Sequence, residues 1–559
     1  MIPSAAIYGS VLTAIARYVV PLLTAILLYR SIKPLIFSRR ESEIWGWLYT
    51  SDGKKHPITH WETVIGSGKN CDLRLSSPGV EKRHALITRY DDGSWSALSL
   101  HHAPIRANGH NTEAFVLQPG DHIKIGEEMV RFTPVTERQA EHFSYLRTKA
   151  PSVSYGILSL ILLTVLQGIF GFCYASGQSS EMASSILFGF GGLAAAGWLL
   201  LILYSCLGRT TFETEILVLY LCTLGMCVIS AVCPEEAYKQ LFAVLLGIAL
   251  FFFLGWILRD LERAKKLRYA FAIAGLLLLW VTFLFGSVFN GAKSWLILGN
   301  FSVQPSELAK ISLIFAGTAA MDRRKNKWEL LAFCLYGILC CVCIGLSNDF
   351  GTALVFFLIF AILAFLRSGI LGTGVVTGGA LTGAVVLTFV PRVKERFSAW
   401  GHIWEDTTGS GYQQTRALSC LASGGLLGLG ATGGMMENVF SSASDMAAAT
   451  LGQQWGLFAV IGAVVSVLTI AVFAVRCAAV ARSSFYAIGA LGASTLLVVQ
   501  MMLNFLGMVD ILPLTGVTFP FVSNGGTAMI CTWGILAFLV AADTRPGGGF
   551  AVRRRNKNG

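Results

Sequence analysis

Residues 404–434, WEDTTGSGYQQTRALSCLASGGLLGLGATGG, form a polar, glycine-rich segment that separates two long apolar runs. The segment contains an acid, Asp406, which the flanking apolar runs place in water beside a membrane. Ionisable residues beside lipid are costly to maintain and are typical of functional sites. The structural alternative is that the Asp406 side chain caps the turn at residues 409–411. Both interpretations stay open at the level of spacing.

The composition excludes an ordinary soluble protein. Hydrophobic residues make up 54% of the 559 residues and charged residues only 13%, whereas soluble domains contain about 25% charged residues. The net charge is +11, but the Lys and Arg residues lie in short clusters between apolar runs, as in cytoplasmic loops. Nucleic acid is therefore excluded as a partner. The 13 Cys include no pair of CxxC motifs, so neither a zinc site nor a disulfide framework is predicted.

The apolar runs predict a polytopic helical membrane protein. Residues 7–31 exceed the roughly 20 apolar residues that a bilayer requires, and the basic group at 30–40 places the N-terminus outside. With the runs after residue 150, about 13 spans are predicted. They lie at 7–31, 154–175, 184–207, 216–232, 240–258, 267–286, 304–321, 328–346, 350–369, 372–390, 451–478, 485–509 and 526–542. If every run crosses once, the basic clusters share the cytoplasmic side, and the 391–450 loop is extracellular.

Residues 43–134 differ in kind. Short alternating runs such as WETVIG, CDLRLS, HALITRY and HIKIG are separated by turn residues, a pattern that predicts a small β-sandwich. The segments VIGSGKNCDLRLSSPGVEKRHALI, Asn108-Gly109 and LQPGDHIKIG resemble a forkhead-associated (FHA) domain, a family that reads phosphothreonine peptides. The resemblance implies Lys69, Lys82, Arg83 and Asn108 as candidate phosphopeptide-binding residues and a cytoplasmic protein or peptide as partner.

The chain departs from the FHA pattern at the ligand site. Ser67 stands where the family has Arg, and Glu81 stands where it has Ser. Because Glu81 repels phosphate, the sequence favours docking that does not depend on phosphorylation, with Lys69, Lys82 and Arg83 as the residues that would compensate.

Four motifs lie in the membrane part, in the order NGAKSWLILGNFSVQPSELAK at 290–310, NDFGTAL at 348–354, the Asp406 segment, and LPLTGVTFPFVSNGGTAM at 512–529. Together they resemble the SEDS family (shape, elongation, division and sporulation; FtsW, RodA and SpoVE) over about 210–545. The resemblance implies a core of about ten spans and an enzyme that polymerises lipid II into peptidoglycan strands by inverting glycosyl transfer, releasing undecaprenyl diphosphate. It also implies a class B penicillin-binding protein transpeptidase as partner.

The resemblance implies Asp406 as the catalytic residue, with Mg²⁺ or Mn²⁺ as candidate cofactor held there and no organic cofactor. Substrate-binding residues implied by the motifs, or suited by charge to a diphosphate, are Lys293, Trp295, Glu307, Lys310, Tyr412, Gln413, Arg416 and Ser523. Lys293 replaces the family's usual Arg, and Gln453-Gln454 replaces a frequent acidic pair. These residues are expected around one cavity that is open to the outer leaflet.

Several of these residues also have structural interpretations. Glu307 and Lys310 are three apart on one helix face and can neutralise each other, and Glu307 also suits a helix start. Asp349 is favoured as an N-cap. Asn504, inside an apolar run, is predicted to bond across helices or to contact substrate. Ser523 lies in a segment too apolar for a solvated loop, predicted to be re-entrant or interfacial.

The sequence thus predicts an N-terminal anchor at 1–40, an FHA-like domain at 41–135, two additional spans at 150–210, a SEDS core at 211–545 and a basic cytoplasmic tail at 546–559, in a bacterial cell membrane. Two alternatives remain: a lipid II flippase, and a non-catalytic scaffold that recruits cell-wall regulators through the FHA-like domain. Polar residues concentrated at the outer face disfavour the flippase, and the retained Asp406 disfavours the scaffold. Whether the protein serves elongation, division or sporulation is not predicted.

Overall fold

The computed structural model describes residues 3–549 except positions 70, 91, 101–102, 290, 300, 321–326, 388–390 and 432. A β-sandwich follows the first helix, and a helical bundle accounts for most of the remaining chain. The predicted fold, a multi-pass helical protein with an inserted all-β domain, is confirmed.

The sandwich consists of a six-stranded sheet, in the order β2-β1-β11-β10-β7-β8, and a five-stranded sheet, in the order β4-β3-β5-β6-β9. Its strands are β1 (Gly46–Tyr49), β2 (Lys55–Ile58), β3 (Glu62–Gly66), β4 (Leu73–Arg74), β5 (Ala85–Arg89), β6 (Trp95–Ser99), β7 (Ile105–Ala107), β8 (His110–Thr112), β9 (Ala114–Leu117), β10 (His122–Ile125) and β11 (Glu128–Pro134).

Alternation along the strands explains the sandwich core. In β10, Ile123 and Ile125 are fully buried while His122 is exposed, because successive side chains point to opposite faces. Trp95 of one sheet packs on Phe132 of the other with ring centroids 5.0 Å apart. The two sheets therefore enclose one apolar core, as the alternating pattern predicts.

The described part of the chain contains fifteen α-helices, most of which are long and apolar and form the bundle. They are α1 (Pro3–Ile32), the short α2 (Glu137–Leu146) beside the sandwich, α3 (Val153–Ala175), α4 (Ser180–Cys206), α5 (Glu213–Val232), α6 (Ala237–Leu258), α7 (Leu261–Phe285), α8 (Pro305–Ala320), α9 (Lys327–Leu346), α10 (Phe350–Leu387), α11 (Pro391–Ala399), α12 (Tyr412–Gly424), α13 (Ala447–Ala479), α14 (Ser484–Met508) and α15 (Gly526–Ala542). In the described part of the chain, eight helices are long and apolar enough to cross a membrane, and three shorter apolar helices join them.

Helix α10 unites the runs predicted as separate spans at 350–369 and 372–390. A straight helix of its 38 residues would be about 57 Å long. Yet Gly351 lies against the carbonyl of Thr515, and Arg396, nine residues after Leu387, donates a 3.2 Å hydrogen bond to that same oxygen. Nine residues span at most about 32 Å, so α10 must change direction within its length. The change of direction brings α11 to the end where α10 began, as two separate spans would.

A non-helical stretch interrupts the apolar part of the chain between α14 and α15. Phe519, Phe521 and Val522 are buried there, and Gly225 of α5 packs against the carbonyls of Phe521 and Val522. Irregular backbone is tolerated in a membrane protein only where protein or water covers it. The prediction that this segment is too apolar for a solvated loop is therefore confirmed by its burial.

Three short strands, β12 (Ser287–Phe289), β13 (Ala292–Leu298) and β14 (Phe301–Val303), form an antiparallel sheet between α7 and α8. From the sequence, a span is predicted from residue 304 but no strands before it. The VFNGAKSWLILGNFSV pattern carries the turn residues and alternation of such a sheet.

The sandwich is held against one end of the bundle by ion pairs. Glu43, just before β1, accepts 2.7 Å and 2.9 Å bonds from Arg482 and Arg147, and Glu62 of β3 accepts a 2.6 Å bond from Lys265 of α7. The Ser484 hydroxyl at the start of α14 also donates to Glu62, at 3.0 Å. The basic clusters on α7 and before α14 therefore share an end with the β-domain, as the charge pattern predicts.

Aromatic packing completes this contact. Trp61 stacks edge-on between Trp45 of the sandwich and Tyr486 of α14, with centroids 6.0 and 6.4 Å apart. The Trp61 backbone N–H donates to the carbonyl of Arg482 at 2.7 Å. Because α14 starts at this contact, the opposite end of the bundle, where α14 finishes at Met508, is called the distal end below.

Candidate active site

Asp406 lies in an exposed loop between α11 and α12. Its carboxylate accepts hydrogen bonds from the Ser410 N–H (2.8 Å), the Ser410 hydroxyl (3.1 Å) and the Gly409 N–H (2.9 Å). These bonds hold the pKa of Asp406 below its usual range. The capping interpretation is therefore confirmed. The side chain nevertheless remains exposed, so the cap leaves the carboxylate open to a ligand.

The Asp406 loop is pinned to the distal end. The Gly401 N–H donates to the carboxylate of Asp510 at 3.2 Å, and the Trp400 indole donates to the carbonyl of Ile511 at 3.2 Å. From α12, the buried Gln414 amide donates to the carbonyl of Gly507 at 2.8 Å. The loop thus rests on the residues that end α14.

One face of α12 carries the other predicted residues of this segment. Arg416 is exposed, and its guanidinium lies 5.6 Å from the ring of Tyr412, one helical turn earlier. Tyr412 and Gln413 are half-buried. Helix α12 starts six residues after Asp406, so these three residues follow the capped carboxylate closely along the chain.

Glu307 and Lys310 form a buried ion pair on α8. Their side chains are 2.5 Å apart, and the residues are 5% and 1% exposed. The second carboxylate oxygen of Glu307 is buried and has no hydrogen-bond partner among the described residues. The predicted mutual neutralisation is confirmed.

Gln304, just before α8, joins this pair to two further motifs. Its backbone N–H donates to the hydroxyl of Thr527 and its side-chain amide donates to Asp349, each at 3.2 Å. Asp349 also accepts from the Thr352 N–H at 3.1 Å, which confirms the predicted N-cap of α10.

Lys293 and Trp295 lie on β13. The ammonium of Lys293 donates to the carbonyl of Leu284, near the C-terminal end of α7, at 3.1 Å, and Trp295 is half-buried opposite Ser287. A cation at a helix C-terminus stabilises the helix dipole. A small pocket beside this contact contains the buried Ser306 hydroxyl, which has no partner among the described residues. Its lining is Leu279, Thr282, Lys293, Ser294, Ser306, Cys343, Ile344, Ser347 and Asp349.

Ser523 and Asn504 support the backbone of the distal end. The Ser523 hydroxyl donates to the carbonyl of Ser444 at 2.5 Å and accepts from the Phe519 N–H at 2.9 Å. The Asn504 amide donates to the carbonyls of Asp445 (3.1 Å) and Val517 (2.8 Å). Both of these Ser523 bonds are to main-chain groups, so the hydroxyl holds the loop backbone together.

The structure does not bring all predicted residues into direct contact. Within the described residues, no hydrogen bond or ion pair joins Asp406 to Glu307 or Lys310. Thr515, in the segment before α15, accepts from Arg396 of α11, and Thr527, in the first turn of α15, accepts from Gln304. The single cavity predicted from sequence stays a prediction.

Two features of this region were missed by sequence reasoning. Gln454, interpreted only as a lost carboxylate, accepts a hydrogen bond from the hydroxyl of Tyr174, at the end of α3. Desolvation raises the pKa of Asp445 to about 6, and Arg396 opposes that shift. Such a pKa suits general acid–base chemistry. The first contact could not be found from spacing, since Tyr174 and Gln454 are 280 residues apart. The second could not be found either, because it depends on the burial of Asp445 in the fold.

At the candidate phosphopeptide site, backbone bonds join two loops. The Ser67 N–H donates to the carbonyl of Glu81 at 2.9 Å, and the Gly68 N–H donates to that of Lys82 at 3.0 Å. Lys69, Glu81 and Lys82 are exposed and Arg83 is half-buried, so both the candidate cations and the acid lie on the two joined loops.

Asn108 has a different role from the other three residues. It occupies the β7–β8 turn with φ 46°, and its amide donates to Asp121 (3.0 Å) and accepts from the His122 N–H (3.2 Å). Positive φ is one reason for Asn in such a turn. These bonds tie the turn to β10.

Comparison with known proteins decides the family. A sequence model of the FtsW/RodA/SpoVE family, described as cell cycle protein, matches residues 216–546. The chain belongs to the FtsW/RodA/SpoVE family. A model of the FHA domain matches residues 63–126, within the sandwich.

Relatives and a solved structure agree with this assignment. The peptidoglycan glycosyltransferase RodA of Mycobacterium tuberculosis is 27% identical over 345 residues, covering 58% of this chain and 73% of that protein. The probable peptidoglycan glycosyltransferase FtsW of Borreliella burgdorferi is 31% identical over 286 residues, covering 49% and 77%. A chain in a structure of a peptidoglycan synthase complex that coordinates polymerization and crosslinking is 25% identical with a TM-score of 0.50, covering 59% of this chain and 97% of that one.

The FtsW/RodA/SpoVE match begins at residue 216, so α1, α3 and α4 lie outside it. They are nevertheless part of the bundle. Tyr174 of α3 accepts a 2.8 Å bond from the Trp455 indole in α13 and bonds Gln454 as well. Of these additional helices, α3 thus packs directly against the residues that follow the Asp406 loop.

Proposed function

We propose that this chain polymerises lipid II into peptidoglycan glycan strands at the outer face of a bacterial cell membrane. The proposal is supported by the FtsW/RodA/SpoVE match and by relatives that are named peptidoglycan glycosyltransferases. The observation that carries it is the exposed carboxylate of Asp406, presented on a loop at the distal end.

The proposed reaction joins the oxygen of an acceptor sugar hydroxyl to the anomeric carbon of the donor sugar. The bond from that carbon to the diphosphate oxygen breaks, the hydroxyl loses its proton, and undecaprenyl diphosphate leaves. Such a reaction needs a group that orients or deprotonates the hydroxyl and positive charge near the departing diphosphate.

Asp406 is proposed to orient the acceptor or to act as its base. Because hydrogen bonds from Ser410 and Gly409 lower its pKa, the carboxylate stays ionised at neutral pH and is a weak base. Orientation of the hydroxyl is therefore the role that its surroundings favour. Full proton transfer to Asp406 would require these bonds to weaken.

Three of the candidate substrate-binding residues are cations that could contact the diphosphate: Lys293, Lys310 and Arg416. Arg416 is the best placed of them. Lys310 is buried against Glu307, and the ammonium of Lys293 is bonded to the carbonyl of Leu284. The guanidinium of Arg416 is exposed on α12, beside the Asp406 loop. Arg also matches phosphate geometry through paired donors.

A divalent cation fits the Asp406 site only if the substrate supplies some of its ligands. In the described residues, no group of three or more His, Cys, Asp or Glu side chains is arranged to hold a metal ion. Asp406 uses three of its roughly four acceptor positions on the turn. One remaining position suits Mg²⁺ or Mn²⁺ bound mainly by diphosphate and water, and such an ion would neutralise the leaving group.

We further propose that the sandwich lies in the cytoplasm and the Asp406 loop outside, with a class B penicillin-binding protein as partner. The orientation is supported by the basic clusters beside the sandwich and by the positive-inside rule. The partner is supported by the likeness to a chain of a peptidoglycan synthase complex.

The test is polymer formation by the purified full-length protein. In nanodiscs with fluorescent lipid II, which have no ion gradient, glycan strands are expected on gel electrophoresis. A flippase would move lipid II between leaflets of sealed vesicles without making polymer. Absence of polymer together with such movement would overturn the proposal.

For the sandwich, we propose a docking module whose binding does not depend on phosphate. Hydrogen bonds to a charged phosphate contribute about 1.5–3 kcal/mol each, and Ser67 and Glu81 replace two family residues that supply them. The joined loops that carry Lys82 and Arg83 face away from the bundle, because β3 and β5 have their opposite ends at the interface.

When the full-length protein is titrated with matched threonine and phosphothreonine peptides from a partner's cytoplasmic tail, affinities within about threefold are expected, a difference below about 0.7 kcal/mol. Arg83→Ala should leave this ratio unchanged. Lys55→Ala, a cation on β2 of the other sheet, serves as the matched control. A strong preference for the phosphorylated peptide that Arg83→Ala abolishes and Lys55→Ala retains would contradict the proposal.

A further inference from the structure

Helix α1 has one face on the bundle and one facing outward. Thr13, Ala16, Val20, Thr24 and Leu27 recur at helical spacing and are buried. The opposite face exposes large apolar side chains, which are Val11, Ile15, Tyr18, Leu22 and Ile26. The helix therefore packs on α3, α5 and α13 with one stripe and presents the other to lipid.

Arg17 lies at the edge of the buried stripe. The residue is half-buried, and its Nε atom is buried without a hydrogen-bond partner. Among the described residues, no carboxylate or carbonyl accepts from its guanidinium. An Arg at membrane depth without a partner is costly, so such residues mark binding sites for anions or aqueous paths.

The depth of Arg17 follows from its distance to Arg30 on the same helix. Arg30 donates to the carbonyl of Tyr155 at the start of α3, at the sandwich end. Thirteen residues separate the two arginines, a rise of about 20 Å along the helix. A hydrocarbon core is about 30 Å thick, which places Arg17 in the distal third, within reach of the lipid head groups by snorkelling.

Beside Arg17 lies the loop that joins α12 to α13. Gly430, with φ 101°, packs so closely on α1 that a side chain there would meet the Thr13 methyl group and the Arg17 Cδ. The Gly430 N–H donates to the carbonyl of Gln454 at 2.9 Å. Arg17 thus lies beside the loop that joins α12, the helix after the Asp406 loop, to α13.

We propose that Arg17 binds the diphosphate group of the polyprenyl lipid that the enzyme uses or releases. A planar guanidinium offers paired donors to phosphate oxygens, and a lipid phosphate is the anion available at this depth. The substrate assignment rests on the proposed function. An anionic phospholipid has the same phosphate chemistry and is the alternative source of the ligand.

The test measures lipid binding by full-length protein in phosphatidylcholine nanodiscs. Arg17→Gln is expected to weaken binding of undecaprenyl diphosphate about tenfold, or about 1.4 kcal/mol. The affinity of Arg17→Lys should lie between those of wild type and Arg17→Gln. Binding of phosphatidylglycerol should not change. Arg39→Gln, an exposed cation at the sandwich end, is the matched control and should bind as wild type does. In turnover, Arg17→Gln should raise KM for lipid II by a similar factor and leave kcat nearly unchanged.

Other outcomes would overturn the proposal. Equal binding of undecaprenyl diphosphate by Arg17→Gln and wild type would remove Arg17 as a ligand, and a loss confined to phosphatidylglycerol would make this a phospholipid site. A lower thermal midpoint of lipid-free Arg17→Gln with unchanged binding would show a packing role. Binding is measured without turnover. If wild-type protein failed to polymerise lipid II, the proposed function would be overturned, but the effect of Arg17→Gln on lipid binding could still be determined.

Discussion

Replacing Asp406 by Asn is expected to slow glycan polymerisation by about 10²- to 10⁴-fold, the loss typical of a catalytic acid or base. Asn preserves the size of the side chain and keeps one oxygen to accept from Gly409 or Ser410, so the turn should persist. What is lost is the negative charge that orients the acceptor hydroxyl or a shared cation. The measurement is initial polymerisation rate with fluorescent lipid II.

The matched control for Asp406→Asn is Glu405→Gln. Glu405 is the adjacent exposed acid, and its carboxylate lies 3.1 Å from the imidazole of His402. The Glu405→Gln variant should polymerise lipid II at the wild-type rate. If Asp406→Asn, shown to be folded by an unchanged thermal midpoint, also polymerised at that rate, Asp406 would be a turn cap and nothing more.

Breaking the Glu307–Lys310 pair is expected to destabilise the protein strongly. Glu307→Gln leaves the ammonium of Lys310, only 1% exposed, buried without a counter-charge. Removing one partner of a buried pair costs about 3–5 kcal/mol. The variant should show a clearly lower thermal midpoint and less folded protein in detergent.

The double variant Glu307→Leu with Lys310→Met separates stability from activity. Replacing a buried pair by apolar residues is often neutral or stabilising, so the thermal midpoint should recover, whereas polymerisation should remain lost if the pair contacts substrate. Arg209→Met, which breaks the buried pair with Glu215 elsewhere in the bundle, should destabilise but leave the rate per folded molecule unchanged. A recovered midpoint with a wild-type rate in the double variant would assign the pair to folding alone.

The sequence predicts the parts of this molecule that local pattern determines. Apolar length fixes the spans, and the alternation of HIKIG fixes which face of β10 is buried. The course of the 350–390 region could be predicted only in part. Six glycines between 369 and 383 suggest that one helix ends and another begins, whereas the structure keeps these residues helical and changes direction within α10. In lipid the backbone must satisfy its own hydrogen bonds, which favours continued helix even in glycine-rich sequence.

Long-range pairs account for most of what the sequence could not predict in the site. Asp406 was predicted as an exposed acid or as a cap, and the structure shows that one carboxylate is both exposed and capping. The anchor of Gln454 on Tyr174 depends on how α3 packs, and no spacing rule gives that contact. Likewise, Ser523 lies in a family motif, but only the fold shows that its hydroxyl donates a hydrogen bond to the carbonyl of Ser444.

The ion pairs between the sandwich and the bundle have a consequence for how the protein is made. Glu43 is synthesised 439 residues before its partner Arg482, which at about 5–20 residues per second is a delay of roughly 20–90 s on the ribosome. During that time the sandwich can fold, but the face formed by Trp45 and Trp61 stays uncovered, since Tyr486 does not yet exist. This face can therefore close only after the chain has been synthesised as far as Tyr486, at the start of α14. Docking of the sandwich on the bundle would then show that membrane insertion has reached α14.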